Sequence, residues 1–153
     1  MRVGVVVIAL VLVAVGAGES LRAATKNDAA TARLTLDDTI LRPEVALTST
    51  ARSVGLMNRK KAPRDGMLFV FRHPTAGGIW MKNTLVPLTI VFFDAGGERV
   101  RRLSMVPCRQ DPCRVYDPGR IYRFALELPA GDKRAALRLG PRASLRRLVE
   151  RSS

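Results

Sequence analysis

Residues 78–94 are the most constraining stretch of the sequence, because they join a polar cluster to an apolar strand. The stretch contains Trp80, the only tryptophan in the chain, followed by Lys82, Asn83 and Thr84. After Pro87 the sequence is almost wholly apolar, which is typical of a buried β-strand. A core strand does not require the polar cluster, and an ordinary loop does not require the tryptophan. The stretch therefore predicts a strand with candidate ligand-binding side chains at one end.

Short apolar or alternating runs, separated by turn residues, recur along most of the chain. They predict strands at 32–36, 40–47, 66–71, 79–83, 88–94, 99–105 and 121–128, with a turn at 73–78. Short helices are expected at 49–56, burying Val54, and from Asp132 to residue 139, whereas 143–149 fits a last strand or a helical tail. This pattern predicts a mainly-β fold, a small sandwich or barrel-like domain with one or two short helices.

The strand expected at 121–128 alternates between aromatic or aliphatic residues and a more polar set. Tyr122 and Phe124 belong to the first set, and Arg123 and Glu127 belong to the second. Since successive side chains of a strand point to opposite faces, the pattern predicts a half-buried strand with Glu127 on its polar face.

The first eighteen residues are apolar apart from Arg2, and they end in small residues. The apolar run is short against the roughly 20 residues of a membrane-spanning helix, and this pattern is typical of a secretory signal peptide. An uncleaved signal anchor is the alternative. The polar composition of residues 19–31 predicts a linker. We therefore expect an exported protein, extracytoplasmic or secreted, with membrane contact only through the N-terminal segment.

Cys108 and Cys113 are the only two cysteines, and they close a short loop. In an oxidising compartment such a pair is most simply a disulfide, with free thiols as the alternative. A zinc site would require four ligands, whereas the chain offers two cysteines and one histidine. No metal or cofactor is expected.

The net charge of +13 raises the question of nucleic-acid binding. However, the arginines are scattered along the sequence, and aromatic residues make up only 5% of it, which is few for a surface that stacks bases. We expect a solvated basic surface facing anionic envelope polymers or lipid headgroups, and no specific nucleic-acid partner.

Four sequence motifs occur in an order that resembles the DUF192 family (also called UPF0127) of prokaryotes. They are Gly-Leu-Met at 55–57 with Arg59, Gly-Met-Leu-Phe-Val-Phe at 66–71, Trp-Met-Lys-Asn-Thr at 80–84 with Pro-Leu at 87–88, and Tyr-Arg-Phe-Ala-Leu-Glu-Leu-Pro-Ala-Gly at 122–131. The resemblance implies a compact mostly-β domain over residues 32–148, often exported, without an agreed substrate, and leaves 149–153 as a tail. Ala51 and Thr89 stand where the family usually has acidic residues, so a reaction that needs those carboxylates would be lost here.

The candidate ligand-binding residues are Arg59, Trp80, Lys82, Asn83 and Glu127. On a continuous strand Trp80 and Lys82 would share one face, and Arg59 would approach from the preceding loop. An aromatic wall beside two cations suits a small anionic or sugar-like ligand. The structural alternative places Trp80 in the core or at its rim, with the Lys82 stem packed along it.

Two classes of function remain open from the sequence. The first is a non-catalytic binding or envelope-associated module for a small anionic or carbohydrate ligand. The second is a small enzyme acting on envelope material, in which a carboxylate such as Asp94 or Glu127 works with Lys82. No sequence signature of a hydrolase or of a nucleotide-binding loop is present, so we assign no catalytic residue.

Overall fold

The computed structural model describes residues 31–139 and 142–153, without the side chains of 142–144. The expected leader, residues 1–18, and all of the linker except Thr31 lie outside the described residues. The strands are β1 (Leu34–Leu36), β2 (Thr39–Leu41), β3 (Glu44–Ala46), β4 (Met67–Thr75), β5 (Ile79–Trp80), β6 (Leu88–Phe93), β7 (Arg99–Met105), β8 (Val115–Tyr116) and β9 (Tyr122–Pro129). The helices are α1 (Ser49–Val54), a 3₁₀ helix (Lys133–Ala136) and α2 (Arg142–Glu150).

A five-stranded sheet in the order β3-β4-β9-β6-β7 forms the centre of the domain. Its strands are antiparallel except for the β3–β4 pair, and two small two-stranded sheets, β1-β2 and β5-β8, lie outside it. The prediction of a small mainly-β domain with short helices is confirmed. The described strands do not close into a barrel.

Both faces of the central sheet are covered by other segments of the chain, and each face packs into its own apolar cluster. On one face Leu68 and Leu126 pack with Leu34 from the β1–β2 hairpin and Leu145 from α2. On the other face the cluster includes Leu56, which follows α1, together with sheet residues such as Phe69. Full burial of a side chain of this size contributes about 2 kcal/mol, so the two clusters are the main source of stability.

Strand β9 is central in this sheet, and the prediction of a polar face for it was wrong. Ala125 and Glu127 point to the Leu56 side, where they are as buried as Phe124 and Leu126 on the opposite side. The alternating residues of β9 face two different buried clusters. They do not divide into a solvent-exposed face and a buried face. Glu127 is consequently 3% exposed.

Helix α1 begins at Ser49, as its sequence predicts, and ends at Val54, two residues before the expected end. The Thr48 side chain accepts a hydrogen bond from the amide of Ala51, and Gly55 ends the helix with φ of 47°. The expectation that Val54 is buried was wrong, because it is exposed and Leu56 is buried instead. The last expected segment is a helix, α2, rather than a strand.

The strand expected at 40–47 is divided into β2 and β3, and two further boundaries that affect the candidate site also differ from expectation. Strand β4 continues to Thr75, into the expected turn. Strand β5 ends at Trp80, so Lys82 does not continue it and forms only an isolated bridge with Cys108. Gly78 permits the close approach of β5 to β8, because a Cβ there would lie 2.5 Å from the Val115 side chain.

The predicted disulfide between Cys108 and Cys113 is present in the structure. It fits an oxidising compartment. Within the described ranges, no helix has the length and the apolar content that a bilayer span demands.

Candidate functional site

A narrow cleft opens on the Leu56 side of the sheet, between α1, β5 and the central strand β9. Its cavity measures about 20 Å³, which is room for roughly one water molecule. The residues that give the cleft its chemical character are Arg52, Met57, Phe69, Trp80, Thr84 and Glu127. Two of the five predicted site residues, Trp80 and Glu127, therefore lie in one place.

Glu127 is the most unusual group in this cleft. It sits opposite Met67 of β4 and Ile90 of β6, so apolar neighbours flank it on both sides. Burial raises the pKa of its carboxyl to about 8, and no ion pair or hydrogen bond to this carboxyl is present among the described residues. At neutral pH the carboxyl is mostly protonated, and it can therefore donate one hydrogen bond as well as accept others.

Trp80 forms the outer wall of the cleft. Strand β5 is held by pairing with β8, with Trp80 opposite Val115. The indole remains 47% exposed even though it lines the cleft. A large aromatic surface that is fixed in place and left open to solvent is the usual contact surface of a ligand site.

Lys82 lies beside Trp80, as the sequence predicts. Its Nζ is 5.4 Å from the centre of the indole ring and 2.6 Å from a carboxylate oxygen of Asp111. A hydrogen bond from Lys82 is the main reason that the pKa of Asp111 is lowered. The contact with Trp80 arises from the bend after β5, since the two residues do not share one strand.

Lys82 does not pair with Asp94 or Glu127, the carboxylates that the enzyme alternative would combine with it, because its partner is Asp111. Asp94 instead accepts hydrogen bonds from the amides of Gly96 and Glu98, and it thereby closes the β6–β7 turn. A catalytic pair of Lys82 with either carboxylate is therefore not formed in the structure.

Arg59 and Asn83 lie next to the cleft and do not line it. Arg59 donates to Glu44 at 2.8 Å, and the other Glu44 carboxylate oxygen is buried without a hydrogen-bond partner. The carbonyl of Asn83 accepts from the amide of Asn58 at 2.8 Å, and Asn83 itself has a left-handed φ of 54°. These two residues position the loops around the cleft.

Sequence reasoning missed Arg52 and Thr84. Arg52 donates to the carbonyls of Leu47, Val70 and Ser153, so it ties α1 to β4 and to the C-terminal end; burial lowers its pKa. Thr84 is buried within the polar cluster. The bonds of Arg52 to Val70 and Ser153 join residues that are distant in sequence. The Thr84 hydroxyl donates to the nearby carbonyl of Lys82, and its burial depends on the packing of the cleft.

A family model for DUF192, described as an uncharacterized ACR, matches residues 32–144. The chain belongs to the DUF192 family. The resemblance expected from the sequence motifs is thus confirmed over most of the chain. No curated protein matches it significantly.

Two solved structures are similar to this DUF192 domain. One is a provisionally assigned transcription regulator from Sinorhizobium meliloti 1021, with 31% identity, a TM-score of 0.61, and coverage of 71% of this chain and 89% of the other. The second is a protein of unknown function from Novosphingobium aromaticivorans DSM 12444, with 25% identity, a TM-score of 0.58, and coverage of 72% and 80%.

Metal chemistry receives no support from the part of the domain that the structure describes. In residues 31–139 and 142–153, no three His, Cys, Asp or Glu side chains come together as a ligand set. The chemical character of the DUF192 cleft therefore rests on an aromatic wall, a buried carboxyl and an arginine whose nitrogens already donate to carbonyls.

Proposed function

We propose that this DUF192 domain is an exported, non-catalytic module that binds a small sugar-like ligand in the Trp80 cleft. One observation carries the proposal: Glu127, only 3% exposed, lines the same cleft as the half-exposed Trp80, and no hydrogen bond or ion pair to its carboxyl is found among the described residues. The fully buried side-chain oxygen without a partner in this part of the chain belongs to Glu44, so the Glu127 carboxyl is open to the cleft. A ligand hydroxyl in the cleft would bond to it.

The chemistry of the two groups favours a hydroxyl-bearing ligand. The apolar face of a sugar ring packs well on an indole, and a protonated carboxyl both donates to and accepts from a hydroxyl. Because the cavity is about 20 Å³, one hydroxyl-sized group would enter it while the rest of the ligand covers Trp80. Loss of a hydrogen bond in such a site discriminates strongly between ligands.

The candidate cations give less support to an anionic ligand. Lys82 is paired with Asp111 and Arg59 with Glu44. An anion would have to compete with these carboxylates for the same donors. A carbohydrate does not need these cations, because its hydroxyls can bond to Glu127 without displacing an ion pair.

Export is supported by the disulfide and by the apolar N-terminal sequence. In that compartment the accessible sugar-like material is envelope polysaccharide and its fragments. Membrane contact would come through residues 3–18 alone.

A specific observation keeps an enzyme as the second candidate. Carboxyls with a raised pKa serve as general acids in glycoside hydrolysis, usually with a second carboxylate nearby. Glu44 lies in the same row across the sheet as Glu127, with Met67 between them. Its ion pair with Arg59 occupies one of its oxygens, which favours binding over hydrolysis.

The similarity to the Sinorhizobium structure, which is described as a transcription regulator, makes nucleic-acid binding a third candidate function. Exposed arginines of β7 would supply charge for phosphate contacts. Among the described residues, Trp80 is the one large aromatic side chain that is exposed, so base stacking would have little surface. Such binding would be weak and strongly dependent on salt.

The proposal is tested by titrating the full chain with envelope disaccharides and following the fluorescence of Trp80. As the chain has a single tryptophan, the signal reports this cleft alone. Calorimetry on Trp80→Ala and Glu127→Gln should show about tenfold weaker binding for each variant, which is about 1.4 kcal/mol. Ile121→Ala is the control, because Ile121 is 64% exposed and does not line the cleft.

Equal affinities for Trp80→Ala and Ile121→Ala would contradict the proposal. New reducing ends during the incubation, lost in Glu127→Gln, would establish the enzyme instead. Binding of mixed DNA that is tight at physiological salt and weakens as salt is raised would favour the nucleic-acid candidate.

A further inference from the structure

A second cleft lies on the opposite side of the central sheet, between the 3₁₀ helix and the strands β6 and β7. Its volume is about 300 Å³. It is lined by polar and charged side chains, notably Thr89, Arg102, Ser104, Asp132 and Lys133. Nothing in the proposed sugar site uses these residues.

Strand register brings the two hydroxyls together with one cation. Thr89 of β6 is directly opposite Ser104 of β7, so their side chains are neighbours on one face. Arg102 is two residues before Ser104 and points to the same face. Lys133 closes the cleft from the first residue of the 3₁₀ helix.

The Thr89 hydroxyl is a donor that the described part of the protein does not use. Thr89 is 6% exposed, and no hydrogen bond from its hydroxyl to residues 31–139 or 142–153 is found. Among these residues the fully buried side-chain oxygen without a partner belongs to Glu44, so the Thr89 oxygen is open to the cleft. Since Thr89 lines the cleft, a molecule in the cleft can accept this hydrogen bond.

Both cations of the cleft lack a carboxylate partner within the described ranges. Asp132 also lines the cleft, but it is occupied by Arg134, whose guanidinium donates to both carboxylate oxygens. Arg134 is also the main reason that the pKa of Asp132 is lowered. The cleft therefore keeps the positive charge of Arg102 and Lys133.

We infer that this second cleft binds a phosphate group through Arg102, Lys133, Thr89 and Ser104. Two cations neutralise the dianion, and the guanidinium can contact two of its oxygens at once. The hydroxyls donate to the remaining oxygens. The group can come from a soluble phosphate ester or from a lipid headgroup, which share this chemistry.

The test compares inorganic phosphate with vesicles as probes of the full chain. Phosphate is titrated by calorimetry, and binding is measured separately to phosphatidylcholine vesicles with and without phosphatidic acid. Thr89→Val keeps the side-chain shape and removes the hydroxyl, and it should weaken phosphate binding about tenfold. Lys133→Ala and Arg102→Ala should weaken it at least as much.

Matched controls separate a site from diffuse attraction to a basic protein. Arg101→Ala removes the same charge from β7, where Arg101 lies opposite Phe92 and faces the other side of the sheet. Lys60→Ala removes a lysine from an exposed loop position. Both should bind phosphate as the unmodified protein does, and thermal melts should confirm that every variant is folded.

Vesicle binding that requires phosphatidic acid and falls in Thr89→Val would identify a lipid headgroup as the source. Binding of inorganic phosphate alone, with the same dependence on Thr89, would identify a soluble ester. Equal losses in Arg101→Ala and Arg102→Ala, or an unchanged affinity in Thr89→Val for both probes, would overturn the inference.

Discussion

The Nζ of Lys82 lies 2.6 Å from a carboxylate oxygen of Asp111, a residue inside the loop that the Cys108–Cys113 disulfide closes. The backbones of Lys82 and Thr84 also form isolated bridges with Cys108. The disulfide loop is thus joined to the segment after Trp80 by backbone and side-chain contacts. This arrangement fixes the ammonium beside the indole.

Replacement of Lys82 by alanine should leave the stability of the apo protein almost unchanged. The Lys82 and Asp111 side chains are 37% and 57% exposed, and exposed ion pairs contribute little because water and salt screen them. The urea midpoint should move no more than it does in Lys60→Ala. The emission maximum of Trp80 should nevertheless shift, because the substitution removes the ammonium group that lies beside the indole ring. A large loss of stability would show that the ammonium holds the fold together, contrary to a site on the surface.

Replacement of both Cys108 and Cys113 by serine should lower the free energy of unfolding by about 2 kcal/mol, because a short closed loop restricts the unfolded chain only modestly. Urea denaturation of the oxidised protein and the variant measures this difference. Alkylation of both thiols in the purified protein without reductant would contradict the disulfide itself.

The pH dependence of stability should carry the signature of Glu127. Burial raises its pKa from 4.5 to about 8, so between these values the unfolded chain has lost a proton that the folded protein keeps. The contribution is complete below the unfolded pKa and is lost as the pH rises through the folded pKa. The free energy of unfolding should therefore fall by about 1.4 kcal/mol for each pH unit in this window.

Glu127→Gln is the matched control, because its amide is neutral at every pH. The difference between the two stability curves, measured by urea denaturation from acid to alkaline pH, should decline across this window and level off above it. A difference that does not vary with pH would mean that the carboxyl is ionised in the folded protein and has found a partner.

Much of the fold could be predicted from short sequence patterns, because those features depend on neighbouring residues. Thr48 and Asp132 cap their helices, as their positions indicate. The Gly-rich turn before β7 forms through a hydrogen bond from the amide of Gly97 to Asp94. Each of these features is settled within a few residues of chain.

The environment of Glu127 could not be predicted in this way. Its burial depends on β4 and β6, which flank β9, and on the layers that cover both faces of the sheet. An alternating sequence has the same period whether the second face meets water or a second cluster. Only the strand order distinguishes these cases.

The proximity of Trp80 and Lys82 could be predicted from the sequence, whereas their role as a ligand site stays a prediction. Trp80 and Lys82 are neighbours, although a bend rather than strand alternation brings them together. Asp111 could not be identified as the partner of Lys82, because the two residues are 29 positions apart. The pairing depends on the path of the disulfide loop, which local patterns do not encode.

Gly66 allows a close contact between its own backbone and the backbone of Glu127, and this role can be tested by substitution. A Cβ at Gly66 would lie 1.9 Å from the Glu127 carbonyl oxygen, and this glycine has φ of 74°. Gly131 has nearly the same φ, 76°, with nothing within 4 Å of its Cβ position. The two glycines therefore differ in crowding and hardly at all in φ.

Gly131→Ala should cost about 1 kcal/mol, which is the expense of a left-handed conformation for alanine. Gly66→Ala should cost about 4 kcal/mol or more, because a backbone oxygen cannot move aside as a flexible side chain can. Urea denaturation of both variants measures the difference directly. Since Gly66 immediately precedes β4, its substitution should also perturb the β4–β9 pairing that buries Glu127, and so lower the pKa of that carboxyl. Equal losses for the two variants would show that the strands can separate at Gly66 without cost, and that the Glu127 environment does not depend on this close approach.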